Sequence, residues 1–229
     1  MNKNTLIIGG SGALGSALTN KLKQASKIFN IDLVPNPSAS KNILLDPSST
    51  VSTQLASVLP QIDEPLGAIF CTAGGFAMES LDSPHLFTSL DSMISMNFNS
   101  TLLGARIGAE RLSQNGLFVS TGADHVFHNI APEMLTYALS KNLVHNLHML
   151  VCENGEFKEK GVDCICILPT TIDSEANRAA MPDADFAKWL DPSKISDLLK
   201  MWVESQNRPS NGAFVKLSNQ DGFVTGVVI

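Results

Sequence analysis

A single tyrosine occurs in the whole chain, at position 137, so any chemistry that needs a phenol falls to one residue. Basic clusters are missing as well. Sixteen Lys and Arg stand against 22 Asp and Glu, and no basic stripe forms. The net charge of −6 excludes an electrostatic footprint for DNA or RNA but leaves room for a local phosphate pocket. No apolar run reaches the roughly 20 residues that cross a membrane. The start has one Lys and a short apolar run at 5–8 that leads directly into glycines, unlike a secretory leader. The four cysteines lack the spacing of a zinc site. Cys164 and Cys166 are two apart in an apolar run, so they would share one strand face as buried thiols. A reducing cytoplasm is the expected compartment. Internal repeats and low-complexity tracts are absent too.

What remains is a chain with enough apolar residues for one proper core. Apolar residues are 44% of its 229 positions and charged ones 17%, which argues against disorder. Apolar strands are expected at 5–8, 29–33, 43–45, 66–72, 116–121, 162–168 and 213–217. Helices are expected at 14–25, near 51–59, over 87–112 as two stretches or one bent one, at 134–153 and at 194–204. Residues 170–193 read as irregular with short helical pieces. Apolar strands alternating with helices predict an α/β fold, a doubly wound parallel sheet flanked by helices on both faces. One domain covers 1–229, with a substrate-covering segment at about 170–193. Sites in such sheets lie beyond the carboxyl ends of the strands. The glycines, Asp32, residues 71–76, 120–124 and 169–174 all fall there.

Gly9-Gly10-Ser11-Gly12-Ala13-Leu14-Gly15 follows the first strand and opens the first helix. Gly9 suits a tight turn, Gly12 a close approach to a pyrophosphate and Gly15 the packing of helix on sheet. The helix start then offers amide hydrogens and a favourable dipole to phosphates. Asp32 ends the second strand, 17 residues past Gly15, where a carboxylate can accept both hydroxyls of a ribose. It would repel a 2′-phosphate, and no Arg sits near it, so NADH is expected over NADPH, with NADPH the weaker cofactor. Leu33 beside it belongs to the same pocket. Ala73-Gly74-Gly75 after the fourth strand lets backbone approach a cofactor.

Tyr137 and Lys141 are one helical turn apart on one face. A free phenol has a pKa of about 10, and a neighbouring ammonium is expected to lower it. The same amine can hydrogen-bond a nicotinamide ribose. Such a pair suits delivery of a proton while hydride arrives from a cofactor. His125, His128, His145 and His148 have no supporting carboxylate spacing, and no metal is expected.

These segments resemble the short-chain dehydrogenase/reductase family over essentially the whole chain, which implies a Rossmann fold. The glycine turn, Ala73-Gly74-Gly75, Asn97 in Met96-Asn97-Phe98-Asn99, Tyr137-x-x-x-Lys141 and Leu168-Pro169-Thr170-Thr171 stand at the family's motif positions. The resemblance implies Tyr137, Lys141 and Asn97 as catalytic residues. It adds Ser11, Ala13, Leu14, Pro169 and Thr171 to the cofactor contacts. Later segments, Asn177-Arg178, Met181-Pro182-Asp183-Ala184-Asp185-Phe186 with Trp189 and Asn207-Arg208-Pro209-Ser210-Asn211-Gly212, are similar to the dihydropteridine reductases, a divergent branch. That resemblance implies reduction of quinonoid dihydropterin to tetrahydropterin with NADH. The departures agree. Cys71 and Thr72 replace two Asn of the general family, and Asp124 stands where its active-site Ser lies, thirteen residues before the tyrosine. Phe76, Asp124, Asn177 and Arg178 are the expected substrate contacts, with Phe76 able to stack on a flat pterin. Arg178 could instead order the covering segment or meet a phosphate, and Asp124 could instead face solvent.

The stretch 97–112 carries Leu102, Leu103, Ile107 and Leu112 with small residues between them. The helix at 136–153 adds Leu139, Leu143, Leu147 and Leu150. The resemblance implies that these helices pair two copies into a homodimer. Two other functions stay open from sequence: an NAD(P)H-dependent carbonyl or alcohol oxidoreductase, and a non-catalytic NAD-binding sensor. Neither nucleic acid nor membrane is an expected partner.

Overall fold

The computed structural model describes residues 4–128, 131–220 and 222–229. Its eight strands are β1 (Asn4–Ile8), β2 (Lys27–Asp32), β3 (Lys41–Leu44), β4 (Leu66–Cys71), β5 (Leu112–Thr121), β6 (Asp163–Pro169), β7 (Ala213–Gln220) and β8 (Phe223–Val228). They form one sheet in the order β3-β2-β1-β4-β5-β6-β7-β8. Every pairing is parallel except β7 with β8, which is antiparallel. The predicted doubly wound sheet is present, extended by β8, an edge strand the sequence reading did not include.

The helices are α1 (Ala13–Leu22), α2 (Val51–Val58), α3 (Leu86–Met93), α4 (Ser100–Arg111), α5 (Asp124–His128), α6 (Leu135–Cys152), α7 (Gly155–Glu159), α8 (Glu175–Ala180) and α9 (Pro192–Val203). The strands read as continuous apolar runs because both faces are covered. Leu6 and Ile8 of β1 pack with Leu103 and Ile107 of α4 and Val151 of α6. Ile7 between them points the other way, to Leu14, Leu18 and Leu22 of α1 and to Leu199 and Trp202 of α9. In β6, Cys164 joins the first cluster and Ile165 and Ile167 the second. All four cysteines are free and buried.

The expected bend within 87–112 is a π-helical segment, Ile94–Asn99, between α3 and α4. In α4, a Cβ on Gly104 would crowd Cys71 and Ile8, and one on Gly108 would crowd Phe157. These small residues therefore bring α4 down onto the sheet of its own chain.

The strand order reverses between β1 and β4, each of which pairs with the other and with a strand of its own half. Chain segments leaving the carboxyl ends of these two strands diverge there and leave a crevice.

Candidate active site

The glycine turn lines one side of that crevice. Gly9 has φ +84, and any Cβ on it would overlap the Ala73 backbone leaving β4. Gly9 thus serves two needs, the left-handed turn and the contact with the β4 exit. A Cβ on Gly15 would overlap the Gly9 carbonyl, so its glycine admits the turn itself beneath α1 rather than the sheet. Gly12 differs. It caps α1 with extended backbone, and a Cβ there would meet only the Gly9 oxygen at 3.5 Å. α1 carries no side-chain cap and no acidic residue in its first turn. Its first amides therefore have no side-chain acceptor, and its dipole favours a phosphate.

Asp32 holds the second subsite. One carboxylate oxygen accepts the Ser11 amide at 2.8 Å and the other its neighbour Leu33's amide at 2.7 Å. The carboxylate is fixed at the turn, and each oxygen keeps lone-pair capacity for a hydroxyl. Ser11 and Asn30 complete the floor, with Asn30 donating to the Ser11 hydroxyl at 3.2 Å. Leu33 and Val34 are exposed at its rim.

Across the crevice, α6 presents Tyr137 and Lys141. Lys141 is buried, and its Nζ donates to the Thr121 carbonyl at 2.9 Å while lying 5.9 Å from the Tyr137 ring centroid. Burial lowers its pKa from 10.5 to about 8. Burial also pushes the Tyr137 hydroxyl up to about 12, opposite to the lowering expected from the nearby ammonium. With the lysine turned to the Thr121 carbonyl and itself desolvated, removal from water outweighs charge attraction.

Asn97 completes this wall from the π-helical segment, fully buried. It accepts the Gly75 amide at 3.0 Å and donates to the Gly75 carbonyl at 3.2 Å and the Ser140 hydroxyl at 2.9 Å. A Cβ on Gly74 would overlap the Asn97 side chain and lie in ordinary contact, 3.5 Å, with Lys141 Nζ. Asn97 therefore fastens the β4 exit to α6 between Tyr137 and Lys141. Its backbone carbonyl accepts the Thr101 hydroxyl at 2.8 Å. Widened π-turns of this kind recur at functional sites.

No protein-family model matches the chain. A curated relative, the dihydropteridine reductase of Dictyostelium discoideum, is 34% identical over 231 residues, covering 98% of both chains. Among solved structures, a short chain dehydrogenase family protein from Francisella tularensis superposes with a TM-score of 0.80 at 18% identity, covering 94% of this chain and 97% of that one. A short chain dehydrogenase from Burkholderia cenocepacia, in complex with NADP, gives 0.77 at 20% identity, covering 96% and 97%. The chain belongs to the short-chain dehydrogenase/reductase family.

At the place of the family's serine, Asp124 opens α5. Its Oδ2 takes an ion pair from Lys216 of β7 at 2.9 Å, and the residue is 9% exposed. It does not face solvent. Phe76 lies against Tyr137 itself, ring centroids 5.0 Å apart in an edge-to-face contact, rather than standing as an open platform.

The 170–193 segment folds back on the sheet. Leu190 donates to the Thr171 carbonyl at 2.7 Å, and Asp173 donates to the Leu190 carbonyl at 2.8 Å. Asn177 donates its side-chain amide to the Ile172 carbonyl. Arg178 makes two bonds to Asp173, at 2.6 and 2.7 Å, and stacks 4.5 Å over Phe186. Asn177 and Arg178 thus order this segment rather than project from it. Pro169 ends β6 at its base.

Among the described residues no cluster of His, Cys, Asp or Glu could hold a metal. His145 and His148 pack against Phe214 of β7 instead. The side chain of His128 lies outside the described residues. The sequence assigned no role to Thr121, Ser140, His145 or Lys216. Ser140 was accessible in principle, being inside the Tyr137–Lys141 motif, but its partner Asn97 is 43 positions away.

Proposed function

We propose that the chain is an NADH-dependent dihydropteridine reductase, converting quinonoid dihydropteridine to tetrahydropteridine. Its full-length similarity to a curated dihydropteridine reductase carries the reading. The open α1 terminus and the fixed Asp32 carboxylate fit a dinucleotide. Gly9, Ser11, Gly12, Ala13, Leu14 and Gly15 would hold its pyrophosphate, Asp32 and Leu33 its adenosine half, and Ala73, Gly74, Gly75, Pro169 and Thr171 its nicotinamide half. Bound NADH supplies a hydride from nicotinamide C4. Lys141 anchors the nicotinamide ribose. Tyr137 donates the proton that the pterin ring nitrogen requires once hydride has arrived. Burial keeps the phenol protonated, so it holds that proton until the reduced ring takes it. An activated imine-like electrophile does not need the serine hydroxyl that holds a carbonyl oxygen, consistent with Asp124 being committed to Lys216. The 170–193 segment would cover the substrate, with Phe76 at the mouth.

The test is NADH oxidation followed optically, with freshly generated quinonoid dihydropterin and with simple ketones as acceptors. Turnover with the pterin alone supports the reading, while turnover with ketones alone replaces it by the carbonyl oxidoreductase. Tight NADH binding without any turnover would indicate the sensor.

A structural relative holds NADP, so cofactor choice needs its own test. Asp32→Ala removes the carboxylate that would accept the ribose hydroxyls and repel a 2′-phosphate. The NADH preference should narrow about tenfold or more, as expected for losing a charged hydrogen bond. An unchanged NADH:NADPH ratio of kcat/KM would remove Asp32 from the ribose site.

A homodimer through α4 and α6 belongs to the same proposal. Leu139, Leu143 and Leu150 recur along one exposed stripe of α6, Leu150 being 72% exposed, and Leu102 is exposed on α4. Leu103, Ile107 and Leu112 are consumed by the chain's own core. Leu143→Glu should convert a dimer in sedimentation to a monomer with the same circular dichroism. A dimer that persists would place the contact elsewhere. Cytoplasmic location is proposed with it, on the support of four thiols that remain free.

A further inference from the structure

Tyr137 and Lys141 continue, at the same four-residue spacing, into His145, which the proposed reaction does not use. α6 therefore sets a phenol, an ammonium and an imidazole in one stripe. The imidazole faces the turn that leaves β5, at Thr121, Gly122 and Ala123. His145 Nε2 accepts the Ala123 amide at 3.2 Å. A Cβ on Gly122 would overlap the same nitrogen, so this backbone lies directly against the ring and only glycine admits the approach. Lys141 takes the turn from its other end, through the Thr121 carbonyl. The remaining fastenings are Gly122 N–H to the Ile167 carbonyl at 2.8 Å and the Thr121 hydroxyl to the Cys71 carbonyl at 2.8 Å.

The ring is held so that it cannot swing away. It is 5% exposed and meets Phe127 and Phe214 edge-to-face, at centroid distances of 5.4 and 5.9 Å. Accepting through Nε2 places its proton on Nδ1. Burial, then the positive charge of Lys141, then His148, lower its pKa to about 4, so the acceptor persists at neutral pH and adds no charge beside the ammonium.

We propose that His145 is a positioning residue for Lys141: by binding the Ala123 amide it fixes the β5–α5 turn and so presents the Thr121 carbonyl to the lysine ammonium. Without this acceptor a buried amide is left unsatisfied, and the turn relaxes to find another partner. Lys141 then loses a fixed acceptor for its charged form. The titratable groups that act on its charge are otherwise Tyr137 and His145 on α6 and the Cys166 thiol on β6. Losing the carbonyl leaves desolvation less opposed, so its pKa falls further.

The inference rests on the nicotinamide reading for its effect on binding, but not for its effect on the turn. Two variants test it. His145→Leu keeps an apolar body of similar reach and removes the acceptor, and His145→Gln restores one. Amide hydrogen exchange at Ala123, followed by NMR, reads the contact directly. Protection should drop at least tenfold in His145→Leu and return in His145→Gln. NADH affinity against pH reads Lys141. Its limb near pH 8 should move lower in His145→Leu, with Kd raised about tenfold at neutral pH, and both should recover in His145→Gln. Recovery in His145→Gln even where its melting temperature stays low separates positioning from packing. Unchanged exchange at Ala123 in His145→Leu, or a loss that His145→Gln fails to rescue, overturns the proposal. Should the unaltered protein bind no NADH, the nicotinamide reading falls. Lost exchange protection at Ala123 in His145→Leu would then still support His145 as the clamp of this turn, and retained protection would overturn it.

Discussion

Replacing Tyr137 by Phe should lower kcat with quinonoid dihydropterin by about 1000-fold and leave the Kd for NADH within about twofold. General acid catalysis by a placed side chain contributes roughly 10²–10⁴ in rate, and this chain has a single phenol to supply it. The ring should not move. Its edge-to-face contact with Phe76 and its packing on Ala123, Val126 and Ala138 use carbon atoms that phenylalanine keeps. The substitution therefore removes one proton donor and little else, and melting temperature should hold. A hydroxyl raised to about 12 stays protonated across the whole working range. That suits a reductase, whose tyrosine must give a proton, better than an alcohol oxidase, whose tyrosine must first lose one. Stopped-flow kinetics and fluorescence titration measure the two quantities separately. Equal losses in kcat and in NADH affinity would show that the phenol binds cofactor rather than protonating substrate.

The alternation of apolar runs made the parallel sheet readable, because strands buried on both faces leave no polar period to confuse them with loops. The glycine turn was equally plain, although Gly15 was assigned to helix-on-sheet packing and instead admits the Gly9 carbonyl. β8 was missed. Its run, Phe223–Val228, follows Asp221-Gly222, and an Asp-Gly pair between two β-rich runs is a hairpin signal. Gly222 has the φ of +86 that such a turn demands.

Tyr137, Lys141 and Asn97 were legible because their motif is local or carried by resemblance. What they touch was not. The Asn97–Gly75, Lys141–Thr121 and Asp124–Lys216 contacts span 22, 20 and 92 positions, and only the packed sheet brings such pairs together. The direction of the tyrosine's pKa was misjudged for the same reason. Adjacency in a helix is visible in sequence, whereas depth of burial is a property of the whole fold.

Depth of burial also sets the second large effect, at Lys141. Lys141→Met retains the length of the side chain and removes the ammonium. NADH affinity should fall about 30-fold and kcat about 100-fold, since one group serves both the ribose and the tyrosine's surroundings. The pH dependence makes the test sharper. In the free protein the ammonium loses its proton at about pH 8, so kcat/KM, which reports the free enzyme, should be level below that value and fall towards tenfold per pH unit above it. Below about pH 9 unfolding does not imitate this limb. Between about 8 and the ordinary 10.5 the unfolded chain binds the lysine proton more tightly than the folded one, so the lysine's contribution to stability rises with pH there. The thiols of Cys71, Cys152, Cys164 and Cys166, all pushed up from 9.0 by burial, oppose this from about pH 9, where the folded state keeps protons the unfolded chain loses, and the Tyr137 hydroxyl joins them above about 10. Activity lost between pH 8 and 9 while the melting temperature holds therefore isolates the charge on Lys141. Lys141→Met should show no limb in that range. A limb that survives the substitution, or a level profile in the unaltered protein, would assign the titration to another group.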